Sequence, residues 1–142
     1  NDAWKRRPHP DLAQAWRDLV PNEAPLTRVS RMEKALGGRA IVPEAHLALA
    51  RAALDAQLWG LARGHLEAIL KGRPTRSAFL LLASLEREEK GDTSAAAHWT
   101  EQAGTAPADA DWVCGSCGAH AHDWHATCPH CGKAASLDWT AK

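Results

Sequence analysis

From residue 9 to residue 106 apolar Ala and Leu are interspersed with Arg and Glu, and Pro or Gly interrupts at intervals, the pattern of packed helices joined by short turns. The pattern repeats. Residues 33 apart correspond: His46 with Phe79, Leu49 with Leu82, Ala50 with Ala83, Ala62 with Ala95, Leu66 with Trp99 and Pro74 with Pro107. Small residues at Ala50/Ala83 and Ala62/Ala95 allow two helices to approach, and large ones at Leu49/Leu82 and Leu66/Trp99 fill the space between them. Helices are therefore expected at 10–20, 25–37, 44–56, 59–71, 76–89 and 93–104, arranged as hairpins, with a proline stopping each second helix. Pro10 precedes Pro43 by the same interval, and Trp16 falls opposite Leu49. Gly37-Gly38, Gly72 and Gly104 are expected as helix C-caps, and "GDTS" at Gly91 to Ser94 as the end of one helix and the N-cap of the next.

After Pro107 the pattern is lost. An acidic joint at 108–111 leads into a segment, 112–142, where Gly, Cys, His and Trp replace Leu and Ala. All four cysteines lie here, as Cys114-x2-Cys117 and Cys128-x2-Cys131, with Gly118 and Gly132 directly after the pairs. Each C-x-x-C-G can form a tight knuckle whose backbone N–H groups point at the sulfurs, the glycine taking the left-handed conformation. Two knuckles supply four thiolates, the preferred set for zinc or a single iron. So short a segment cannot bury enough surface to fold alone, and a bound metal supplies roughly 10–16 kcal/mol of folding free energy in zinc-finger peptides. Trp112, Trp124 and Trp139 are expected as the ribbon's apolar core, with "WVC" and "SLDW" as strands.

Other uses of these cysteines are less favoured. Disulfides within C-x-x-C are strained, and nothing points to secretion. A c-type haem needs His directly after C-x-x-C, where this chain has Gly118 and Gly132. Haem binding at Cys128-Pro129 remains an alternative, as does a second metal on His120, His122, His125 or His130, which otherwise read as polar loop residues. A catalytic zinc keeps an open position and a carboxylate base; Asp123 is the only carboxylate between the knuckles, and the H-x-E of zinc deaminases is missing. No catalytic or cofactor-binding residue is expected, and the chain reads as a non-enzyme.

The 142 residues carry a formal net charge of zero, so no global field recruits nucleic acid or an anionic membrane surface. From Trp112 on, Lys133 and Lys142 face Asp123 and Asp138, and a tetrathiolate on a divalent metal adds about two negative charges, which argues against nucleic acid. Lys5-Arg6-Arg7 is read as part of a solvated arm over 1–8. No stretch resembles a signal peptide or a membrane span, and the chain is expected to be a soluble fragment of a longer protein.

The spacing, with Ala50, Ala62, Leu66 and Pro74 in matching places, resembles the tetratricopeptide repeat, with His46 and Phe79 where its first helix usually carries Trp. The expected fold is thus mainly α, a tetratricopeptide-like array over 9–107 followed by a rubredoxin-like zinc ribbon. A concave surface would bind protein partners, and the ribbon would cap the last hairpin. The segments "EAHLALARAALDAQLWGLARGHLEAIL" and "EREEKGDTSAAAHWTEQA", with the closing Trp-Val and Ser-Leu-Asp-Trp, are similar to the C-terminal part of HemY-type proteins, haem-biosynthesis-associated repeat proteins. The paired knuckles and the domain order also resemble LapB, a regulator of lipopolysaccharide synthesis. Either resemblance implies a scaffold at the cytoplasmic face of the bacterial inner membrane. From another class comes a rubredoxin-type iron redox unit.

Overall fold

The computed structural model describes residues 2–6, 8–37 and 42–140. The expectations that fall on Asn1, Arg7, Gly38 and Lys142 lie outside the described residues. Two compact units, Asn1–Ala106 and Pro107–Lys142, divide the chain.

The first unit is helical: α1 (Asp2–Arg6), α2 (Pro10–Asp18), α3 (Pro25–Leu36), α4 (Pro43–Asp55), α5 (Trp59–Leu70), α6 (Arg76–Lys90) and α7 (Thr93–Thr105). Proline starts helices here. Pro10, Pro25 and Pro43 each occupy a first helical position, where the missing N–H costs nothing and the fixed φ suits the helix. Pro74, expected as a stop, lies in the link after α5 has already ended at Leu70. His9 caps α2, its Nδ1 accepting from the Asp11 amide at 3.0 Å, and Asp92 caps α7, accepting from the Ala95 amide at 2.9 Å. Gly91 closes α6 at φ +63°, so the turn at "GDTS" works as the residues suggest.

The other glycines behave differently. Gly104 is inside α7, which runs on to Thr105. Gly37 ends α3 at φ −70°, its amide 2.8 Å from the Glu33 carbonyl, and a Cβ at this position would strike that oxygen. Close approach, not a left-handed turn, is what calls for glycine there.

The segment read as a solvated arm is also different. Asp2–Arg6 forms a helical turn that buries Trp4, 6% exposed, against Ala13, Val29, Met32 and Leu36, while Lys5 and Arg6 stay in solvent. A large apolar ring outweighs its charged neighbours because burying it gains more than about 1.5 kcal/mol.

α4 is shared between two packed clusters: Leu49 and Ala52 lie with Val29, Met32 and Leu36, and Ala50, Ala53 and Leu54 with Ala62, Leu66, Leu82 and Leu85. The repeat is visible in what is buried. Ala45, Leu49, Ala50, Ala52 and Ala53 of α4 correspond at the 33-residue interval to Ala78, Leu82, Ala83, Leu85 and Glu86 of α6, and all are buried. In the second helices the interval lengthens by one, since Ala62 and Ile69 of α5 match Ala96 and Ala103 of α7. The expected partner of Ala62, Ala95, is half-buried. α6 is two residues longer than α4 while the link after it is one residue shorter, which leaves the net shift of one. Glu86, where α4 has Ala53, is tolerated because Arg63 of α5 reaches its carboxylate at 3.0 Å and Glu89 at 2.8 Å.

The second unit is a three-stranded antiparallel sheet, order β2-β1-β3, from β1 (Asp111–Cys114), β2 (His120–Ala121) and β3 (Leu137–Thr140). Trp112 faces Trp139 across the β1–β3 pair, the rings edge-on with centroids 5.5 Å apart. Trp124, expected in this core, is 55% exposed; its place is taken by Ala121, Leu137 and the buried sulfurs of Cys114 and Cys128.

Candidate functional site

The two knuckles are built alike. In the first, the Cys114 amide bonds the Ala119 carbonyl at 2.9 Å and the Gly118 amide bonds the Cys114 carbonyl at 2.8 Å; in the second, Cys128 and Lys133, then Gly132 and Cys128, repeat the pattern at 2.9 and 2.8 Å. Gly118 at φ +72° and Gly132 at φ +74° provide the left-handed turn that a side chain would strain. β1 delivers Cys114 at its end, and a bridge between Thr127 and Ala134 sets the base of the second knuckle.

The knuckles face each other and bring all four sulfurs within 4.8 Å of one another. Cys114 Sγ is 3.8 Å from Cys131 Sγ, and Cys117 Sγ is 3.7 Å from Cys128 Sγ. With metal–sulfur bonds of about 2.3 Å, the edge of a regular tetrahedron is about 3.8 Å. The donor set is therefore sized for one tetrahedral ion and holds four free thiols. Zinc and iron fit equally well. Each knuckle turns its first cysteine inward and its second outward: Cys114 and Cys128 are buried, Cys117 and Cys131 exposed.

Electrostatics within the cluster favour thiolate at particular atoms. The Ser136 hydroxyl, helped by the Cys117 and Ser116 amides, brings the Cys114 thiol down to about 6. The Cys131 and His130 amides lower Cys128. At Cys117 the Ala119 amide pulls down, but desolvation and the neighbouring sulfurs prevail and push the thiol up to about 12. Four crowded sulfurs cannot all ionise against one another; a dication removes that conflict.

Ser136 is the residue that sequence reasoning missed. Its Oγ lies 3.2 Å from Cys114 Sγ, and its carbonyl accepts from the Gly115 amide at 2.7 Å. The β1–β3 register ends with Cys114 opposite Leu137, so the next step outward sets Gly115 against Ser136. Only that pairing reveals it; serine before an apolar run carries no signal of its own. His120 lies on β2, its Nδ1 3.7 Å from the Asp111 carboxylate, and His122, His125 and His130 are exposed. None of the four joins the sulfur cluster.

In the helical unit a groove of about 380 Å³ runs over α2, α4 and α6, with Leu54 and Leu81 on its floor and Arg17, Arg51, Asp55 and Glu88 around it. Arg17 and Asp55 are paired at 3.3 Å. Among the described residues no helix is long and apolar enough to cross a membrane.

No family model matches the chain, and no solved structure matches it significantly. Over 99 residues, 69% of its length, it is 37% identical to a protein of Magnetospirillum gryphiswaldense named as the probable magnetosome protein Mms48. The chain spans only 22% of that relative's length, so what it is similar to is one part of a considerably longer protein.

Proposed function

We propose that this chain is a non-enzymatic protein-interaction module, in which tetratricopeptide-like helical hairpins present a groove to a protein partner and a four-cysteine ribbon holds a structural metal. The observation that carries the reading is the recurrence of one buried pattern in α4 and α6, which sets like helices side by side under the groove. Zinc, with a single iron as the alternative, is the metal proposed for Cys114, Cys117, Cys128 and Cys131, and a closed set of four thiolates leaves no open position for catalysis.

The longer protein is read as a membrane-anchored bacterial scaffold of HemY type linked to haem biosynthesis, on the resemblance in "EAHLALARAALDAQLWGLARGHLEAIL" and in the closing Ser-Leu-Asp-Trp. The likeness to a probable magnetosome protein widens the set of proposed partners to magnetosome proteins.

The test is capture of partners from native membranes by the full-length protein, beside a form carrying Arg51→Glu and Glu88→Arg. Haem-pathway enzymes or magnetosome proteins lost on charge reversal would support the reading. Lipopolysaccharide-synthesis proteins would shift it to the LapB type, and partners unaffected by the reversal would remove the groove from it. Metal analysis of the same preparation separates colourless zinc from a coloured, redox-active iron tetrathiolate.

A further inference from the structure

Between α4 and α5, His46 and His65 meet with their Nδ1 atoms 3.0 Å apart and ring centroids 5.2 Å apart. The separation is that of a hydrogen bond, and such a bond needs one Nδ1 to carry a proton and the other to lack it. His65 decides which. Its Nε2 is buried without a hydrogen-bond partner, so a proton there would be an unsatisfied buried donor. That favours a His65 proton on Nδ1, donated to His46, with the proton of His46 on Nε2.

We propose that the His46–His65 hydrogen bond is an acid-sensitive latch on the α4–α5 hairpin, most stable while both rings are neutral. Adding a proton to His46 places two N–H groups nose to nose at 3.0 Å. Adding one to His65 puts it on the buried Nε2. Either event breaks the contact between the helices or buries a charge. Protonation is thereby coupled to loosening of α4 from α5, and α4 carries Arg51, Leu54 and Asp55 of the groove.

The surroundings do not relieve the conflict. From α3, Glu33 acts on His65 and favours its charged form, but burial and the neighbouring His46 outweigh it, and burial likewise opposes charge on His46. The acids that α6 brings toward α5, Glu86 and Glu89, are both engaged by Arg63. From α2, Arg17 is held by Asp55 of α4.

The test is a pH titration of the whole chain between 7.5 and 5, read by imidazole ¹⁵N chemical shifts and by the urea midpoint, for the natural chain and for His65→Gln. Glutamine can still donate to His46 and has nothing to titrate. The expected result is an Nδ1–H tautomer for His65 at pH 7.5, both rings charging below their ordinary midpoint, and α4–α5 amides shifting in step. His65→Gln should lose clearly less of its urea midpoint over the same range. The proposal is overturned if the two rings titrate independently at ordinary values with α4–α5 amides unmoved, or if His65→Gln keeps the full acid sensitivity. Should the variant fail to fold, the tautomer and titration of the natural chain decide alone.

Discussion

Ser136 is a hydroxyl outside the four cysteines that touches one of them. It bonds the Lys133 carbonyl at 2.9 Å and lies against the Cys114 sulfur, so it links the end of the second knuckle to the first ligand of the other. Ser136→Ala is expected to lower metal affinity roughly 10- to 100-fold, the usual loss for an outer-shell partner, as measured by competition with a chromogenic chelator. An unchanged affinity would reduce Ser136 to a strand residue. Arg63 acts at the same scale in the helices. Its removal leaves the Glu86 carboxylate buried without its main partner, and Arg63→Ala should cost about 1–3 kcal/mol in urea unfolding. Gly37→Ala should destabilise too, through collision with the Glu33 carbonyl and not through backbone strain.

At the level of elements, small side chains determine how closely the helices pack. Ala50, Ala53, Ala62 and Ala78 are fully buried, with Leu66 and Leu82 filling what they leave. Leu66→Ala is expected to cost about 2–5 kcal/mol, seen as a lowered urea midpoint, because neighbours that are already alanine have no side chain to move into the cavity. The positions of α2 to α7, though not of α1, were legible in the sequence because at least one end of each carries a proline, a glycine or a polar cap with a local effect. What was not legible depends on distance. The burial of Trp4 requires knowing that α3 passes beside it, and the exposure of Trp124 requires knowing that Cys114 and Cys128 fill the ribbon's interior. The shift from Ala95 to Ala96 came from the two extra residues of α6 less the one missing from the link after it, which identities alone do not register. For the site, the cysteine spacing pointed to all four sulfurs, whereas Ser136 emerges only from strand register.

For the whole molecule, acid acts in two stages. His9, His46 and His65 are each lowered from an ordinary 6.5, burial being the main cause. Since the unfolded chain takes up these protons first, stability is full above about pH 6.5 and falls as pH drops toward the folded values. Glu23 is lowered mainly by its bond from Arg31, and Glu86 by its bond from Arg63. Their contribution is full above about 4.5 and is lost on further acidification through the folded values. A urea-midpoint profile should therefore decline in two steps, and Arg63→Ala should flatten the lower one. Cys128→Ser should abolish metal binding and the dispersed amide spectrum of residues 111–140. The helical unit's own melting in that variant then measures what stability, if any, it draws from an ordered ribbon.

The inward and outward cysteines give the four-sulfur cluster two unequal sides. Cys117 and Cys131 form the face that solvent touches, while Cys114 and Cys128 are closed off by the sheet. With a dication bound all four sulfurs would be thiolates and exposure alone would set the order, so a maleimide added in limiting amount to metal-loaded protein should mark Cys117 and Cys131 before the other pair. A competing soft metal would enter by that route as well, so this exposed edge is where one ion would be exchanged for another.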